Sequence, residues 1–155
     1  MWIKILVSAA VVAFCVFLGY WAAWKYRARK RFYNQFCTFN ERYLTELTYA
    51  RKPLGEFLKA YSYTGDFQKM LSTFSEKRTV EQKLNFLTKE EQGECGNYLS
   101  MLGKGDALSQ KNYFSAFQST LTAKKADSEK QAKSHGELYL KLGLLAGLAI
   151  VILIV

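Results

Sequence analysis

The sequence predicts an all-α protein: an antiparallel helical bundle set between an N-terminal transmembrane helix and a C-terminal hydrophobic membrane segment. Three observations predict it. Residues 5–24 carry no charge, and residues 142–155 carry none either. Between these ends, residues 32–137 contain no isoleucine and one valine, Val80, and take their apolar side chains from Leu, Phe, Tyr, Met and Ala. A sheet draws on β-branched residues, and sustained two-residue alternation is absent. A chain of 155 residues has room for one compact unit. Its single proline and three scattered cysteines exclude Pro-rich disorder and a disulfide scaffold.

As a helix, residues 5–24 reach about 30 Å, the thickness of a bilayer core. Trp2, Tyr20, Trp21 and Trp24 stand near its ends, where amphipathic rings sit at the headgroup level. Lys25, Arg27, Arg29, Lys30 and Arg31 follow directly. These five cations, set against Lys4 and the amino group, predict that the chain beyond the helix stays cytoplasmic. A secretory signal has the opposite polarity, cations first and a small-residue cleavage site after, so residues 1–31 are expected to remain as an anchor with its basic flank. Lys4 and the cluster are six of the 22 basic residues, and the other 16 nearly balance the 13 acidic ones. The net charge of +9 therefore belongs mainly to the membrane flank. It marks topology and contact with anionic lipid rather than a nucleic-acid surface.

At the other end, residues 142–155 reach only about 21 Å. Residues 138–141 extend this to about 27 Å, with Lys141 snorkelling to the interface. Residues 138–155 thus read as a second membrane segment. Lys124, Lys125, Lys130 and Lys133 precede it, again on the cytoplasmic side by the charge rule. The result is a cytoplasmic domain, residues 32–137, tethered at both ends.

The helices of that domain follow in order. Residues 32–51 continue the membrane helix without a breaker, and Phe36, Tyr43, Leu44, Leu47 and Ala50 form an amphipathic stripe. Lys52 before Pro53 ends it. Pro53 opens a second helix at its first turn, with Leu54, Phe57, Leu58 and Tyr61 on its apolar face. A turn at Thr64 and Gly65 leads to a third, carrying Phe67, Met70, Leu71 and Phe74. Thr79 and Gln82 read as a capping box for a short helix with Val80, Leu84 and Leu87, and Thr88 and Glu91 as a second box for a helix reaching Leu102. Gly103 and Gly105 close that helix. Asp106 caps the last, whose core face is marked by Leu108, Phe114, Phe117 and Leu121. Residues 122–137 are polar and read as solvated or loosely packed beside the first helix. Short loops favour antiparallel neighbours, and the two long terminal helices are expected to act as a stalk.

Motifs that carry chemistry are missing from the sequence. No G-x-x-x-x-G-K-[ST] loop cradles a triphosphate, no His/Cys set has metal-ligand spacing, and no serine stands in a G-x-S-x-G context. Cys15 lies in the membrane run, Cys37 and Cys95 read as packed thiols, and His135 as a solvated imidazole. Glu90, Glu91 and Glu94 suit a helix N-terminus. A membrane enzyme would need polar groups in its spans, where the runs offer only Ser8, with Lys4 at the edge. The expectation is a non-enzymatic protein without cofactor, metal, small-molecule substrate or nucleic-acid partner. Two patterns point to binding. Gly143 and Gly147 form a small-xxx-small pattern that lets another helix approach closely. Tyr33, Tyr49, Tyr61, Tyr63, Tyr98 and Tyr113 suit either a partner surface or the boundary of a small core.

Three stretches carry a resemblance to a known family. They are Glu46-Leu47-Thr48-Tyr49-Ala50-Arg51-Lys52-Pro53-Leu54, then Leu102-Gly103-Lys104-Gly105-Asp106 with Ser109-Gln110, then Leu142-Gly143-Leu144-Leu145-Ala146-Gly147-Leu148. In order and spacing the chain resembles the stage III sporulation protein AB family of endospore-forming bacteria, with Ala50 and Lys52 standing where that family usually has Gly and Thr. The resemblance implies a part of the complex that connects mother cell and forespore after engulfment. It implies a place in the mother-cell membrane facing the forespore, with the soluble domain in the mother-cell cytoplasm. It further implies likeness to the helical bundles of platform proteins in type II secretion and type IV pilus systems, which face a hexameric ATPase. The partner implied is the ATPase stage III sporulation protein AA, with the other proteins of the channel complex. Pro53, Gly103, Gly105 and Asp106, in turns expected at the membrane-distal end, are then the candidate contacts. A generic membrane-tethered adaptor or signalling protein is the alternative, and it would work without a secretion ATPase.

Overall fold

The structure is a computed structural model that describes residues 2–50, 52–78 and 83–154. It is all-α, with no strand among the described residues. Helix α1 spans Trp2–Thr45 and opens into a π-helical turn, Glu46–Ala50. Helices α2 (Leu54–Ala60), α3 (Gly65–Lys77) and α4 (Lys89–Met101) are short, and α5 runs over Ala107–Ile154. The chain divides into two units, Met1–Lys30 with Ser128–Val155, and Arg31–Asp127.

The first unit is an antiparallel pair formed by parts of α1 and α5. Glycines set the spacing of the pair. A Cβ on Gly19 would lie 2.6 Å from the carbonyl oxygen of Tyr139, and one on Gly143 would lie 2.8 Å from that of Cys15. At Gly147 the Val12 Cα is 3.2 Å away. The pattern at Gly143 and Gly147 therefore meets the chain's own α1, and Gly19, not singled out from sequence, completes it. Nearer the bundle-side residues, Tyr26 stacks on His135 with ring centroids 4.7 Å apart. Ser128 is fully buried. His135 is half-buried against an aromatic ring rather than solvated, and in the polar stretch around it exposed residues alternate with half-buried ones, as loose packing requires. Phe14, Phe17, Trp21, Leu144, Leu145 and Ile152 point outward. Both α1 and α5 are long and apolar enough to cross a membrane. In lipid, no hydrophobic force separates helix from solvent, so close packing of small residues has to hold the pair together.

The second unit is an aromatic bundle. Phe36 of α1 sits edge-on to Tyr98 of α4, centroids 4.7 Å apart, and packs on Phe67 of α3 and Phe117 of α5. Phe39 and Tyr43 extend the same face of α1 onto Phe57 of α2 and Phe114 of α5. The π-helical turn that follows α1 ends ahead of Pro53, which has no N–H to give. Pro53 is the N-cap of α2 rather than its first helical residue, and its carbonyl accepts from Glu56 and Phe57 N–H. Tyr61 lies just past the end of α2, in an extended conformation. Gln35 of α1 ties down the start of α3: its Nε2 donates to Thr64 Oγ1 at 2.8 Å and its Oε1 accepts from Thr64 N–H at 2.7 Å. The capping box at Thr88 and Glu91 is present.

Two sequence expectations need correction. Residues 83–88 are a turn, not a helix. Leu84 and Leu87 are buried as their spacing requires, but Gln92 Nε2 donates to both of their carbonyls, at 3.0 and 3.1 Å. Residues 79–82, where the other capping box was expected, lie outside the described residues. Leu108 is 66 % exposed. It stands in the first turn of α5 ahead of Phe114, before that helix engages the core.

Gly143→Leu should force the helix pair apart, at a cost of about 1–3 kcal/mol for overpacking. The check is a cysteine pair placed at positions 26 and 135, whose rings stack 4.7 Å apart, in the full chain in detergent. Its disulfide should form readily in the parent and poorly in Gly143→Leu. Ala146→Leu, on an exposed position, should leave the disulfide unchanged, and Tyr98 should stay protected from solvent in both variants.

Candidate functional site

The turns singled out from sequence come together in the second unit. Gly103 and Gly105 have φ of +72° and +83°, the left-handed region that glycine adopts without strain. Asp106 accepts the Ser109 N–H at 3.2 Å and caps α5. Bonds from the Ser109 side chain and backbone hold its carboxyl below the usual carboxylate range. A Cβ on Gly103 would lie 3.1 Å from Leu54 Cδ2, so the turn before α5 packs directly on the residue after Pro53.

Side chains from two helices fix this turn. Tyr43 of α1 donates its hydroxyl to Gln110 Oε1 of α5. The Gly103 N–H is shared between the Tyr43 hydroxyl and Gln110 Oε1, both at 3.3 Å, and Gln110 Nε2 donates to the Gly105 carbonyl at 3.3 Å. Burial pushes the Tyr43 phenol up, against the Gly103 N–H, which favours the ionised form. The phenol thus stays protonated and keeps its donor. One turn back in α1, fully buried Asn40 continues the network. It accepts from Tyr98 at 2.7 Å and donates to the Phe114 carbonyl at 3.0 Å and to Gln118. Desolvation raises the Tyr98 phenol well above its ordinary value, which likewise preserves the donor.

An open cleft of about 260 Å³ lies beside these turns, lined by Tyr43, Glu46, Leu47, Lys52, Leu54, Gly103, Gly105, Ala107 and Gln110. Two of the three motif stretches meet there. Glu46 is buried, and its Oε1 accepts the Lys52 N–H at 3.3 Å. Tyr49, on the same π-helical turn, is 82 % exposed. Single π turns concentrate at functional sites. Of the six tyrosines noted in the sequence, Tyr33 and Tyr98 are buried in the core, Tyr61, Tyr63 and Tyr113 are half-buried, and Tyr49 alone is exposed.

The remaining expected residues lie elsewhere. Lys25 and Arg31 are exposed, while Arg27, Arg29 and Lys30 are half-buried. The Arg27 guanidinium sits over the Tyr20 ring at 4.5 Å. The acidic cluster serves structure: Glu91 caps α4, and Lys124 of α5 reaches Glu91 at 3.5 Å and Glu94 at 2.7 Å. Cys37 and Cys95 are buried, and burial raises both thiols, Cys95 to about 12. Neither is a thiolate near neutral pH, so neither is an activated nucleophile. Among the described residues no group of side chains could hold a metal ion.

Sequence reasoning missed Asn40, Glu46 and the Tyr43–Gln110 pair. The signal for Asn40 was its place among Phe36, Phe39 and Tyr43, a polar residue inside an aromatic stripe.

A thiol that is neutral in the fold and ionises more easily when unfolded weakens the fold as pH rises. Cys95 should therefore take stability away between about pH 9, its unfolded value, and about pH 12. Cys95→Ala should flatten that part of the stability curve, read as urea midpoints against pH. Tyr98→Phe leaves Asn40 Oδ1 without its donor and should cost about 1–3 kcal/mol at neutral pH in the same assay.

A family model described as stage III sporulation protein AB matches residues 4–86 and 75–155. Neither a curated protein nor a solved structure matches the chain. The match takes in both long helices and both turns that frame the cleft, and it supports the resemblance read from the three motifs. The chain belongs to the stage III sporulation protein AB family and is a sporulation protein.

Proposed function

We propose that this protein is a non-enzymatic membrane platform of the mother cell–forespore channel complex, coupling a cytoplasmic secretion-type ATPase to the membrane assembly. The observation that carries the reading is the meeting of the Glu46–Leu54 and Leu102–Gln110 stretches around one open cleft. The Cys37 and Cys95 thiols are buried, and the Glu91 and Glu94 carboxylates are taken up by a helix cap and by Lys124. A surface with fixed turns, an exposed aromatic residue and no activated nucleophile is suited to docking rather than turnover.

In this reading α1 and α5 cross the mother-cell membrane as a pair, and the cluster from Lys25 to Arg31 keeps the bundle on the cytoplasmic side. The ATPase, stage III sporulation protein AA, docks on the turns at Pro53 and at Gly103, Gly105 and Asp106. Both α1 and α5 are continuous from the bundle into the membrane unit. In this reading a shift imposed on either helix at the docking turns is passed along that helix toward the membrane.

An N-terminally tagged full chain, solubilised from membranes of sporulating cells, should recover the ATPase in ATP-dependent amounts. Gly103→Val should lower that recovery about tenfold, the equivalent of about 1.4 kcal/mol, because valine resists positive φ and would press on Leu54. The other channel proteins should be retained. Recovery of the channel proteins without the ATPase would make the chain a structural membrane component, and recovery of neither would favour a membrane-tethered adaptor.

A further inference from the structure

We propose that the cleft beside Glu46 receives one cationic side chain, an arginine in preference to a lysine, from the protein that docks on this face. This rests on the docking reading above and adds its recognition chemistry. Glu46 is 8 % exposed, and its carboxylate accepts one bond, from the Lys52 N–H at 3.3 Å. A carboxylate has about four acceptor positions, so one long bond compensates little of what burial costs it. Among the described residues no cation stands within ion-pair distance of Glu46. Ion pairs seen in the bundle include Lys69 with Asp66 and Lys124 with Glu91 and Glu94. The charge is buried, borders an opening and, among the described residues, has no counter-charge within ion-pair distance.

The opening has the size of a side chain. Sites for drug-sized ligands run from about 300 to 1,000 Å³, and this cleft is about 260 Å³. The choice between cations follows from shape. A guanidinium meets a carboxylate through two parallel N–H bonds, which a lysine ammonium does not.

The test places a photoreactive benzophenone residue at Ala107, an exposed residue of the cleft rim, in the full chain in membranes of sporulating cells. The parent should give a protein adduct. Glu46→Gln should reduce it about tenfold, since glutamine keeps an acceptor for the Lys52 N–H and loses only the charge. The unfolding midpoint should hold or rise, because the variant removes a buried charge that little compensates. The adduct should map beside an arginine or lysine of the partner, and exchanging charges, Glu46→Arg against that residue changed to glutamate, should restore it. An undiminished adduct in Glu46→Gln would overturn the cation while leaving the docking face in place. No adduct in the parent would overturn the docking face and the cation together. A lowered unfolding midpoint with an unchanged adduct would mean that the counter-charge of Glu46 lies within the chain, and would also overturn the proposal.

Discussion

The cleft and the turns proposed as a docking face depend on the hydrogen bonds that Tyr43 and Gln110 make around the Gly103 N–H. Polar groups buried in a small core have to be paired, and here the donors and acceptors come from α1, α5 and the turn between α4 and α5. A slip of one residue along either helix would strand a phenol, an amide and a backbone N–H together. The network therefore sets the register of α1 against α5 in the bundle, and with it the distance of the Gly103 turn from Leu54. Asn40 repeats the device one turn away, joining α1 to Tyr98 of α4 and to Gln118 of α5. Aromatic packing supplies the bulk of the core but tolerates sliding. The polar pairs make the arrangement single-valued.

The surfaces of the two units fit different solvents, water for the bundle and lipid for a helix pair long and apolar enough to cross a membrane. The bundle buries Phe36, Phe39, Phe67, Tyr98 and Phe114 in mutual edge-to-face contact, an arrangement driven by expulsion from water. The membrane unit turns Phe14, Phe17 and Leu145 outward and packs glycine against backbone within. Lipid rewards neither helix for hiding apolar surface, so contact distance takes over as the source of cohesion. Gly19, Gly143 and Gly147 in the one unit thus do work comparable to that of the phenylalanines in the other.

Much of this was legible in the sequence, for physical reasons that differ residue by residue. The uncharged runs declare themselves by length. The helical faces of Phe67, Met70, Leu71 and Phe74 follow the 3.6-residue period, and Thr88 with Glu91 announces a helix start. Asp106 as a cap and the positive φ of Gly103 and Gly105 follow from local chemistry. What was not legible depends on contacts distant in sequence. Leu84 and Leu87 have helical spacing, yet Gln92 satisfies their carbonyls in a turn. Leu108 lies on the expected face but precedes the point where α5 meets the core. Gly19 pairs with a backbone some 120 residues away, and nothing near it in sequence signals that. Glu46 reads as one more helical acid until the fold closes a cleft around it.

Hydrogen exchange on the full chain in lipid nanodiscs, with and without the secretion-type ATPase and a non-hydrolysable ATP analogue, tests the docking face most directly. Added protection confined to residues 46–54 and 102–110 is the predicted result. Protection on α3 with those two stretches unchanged would contradict it.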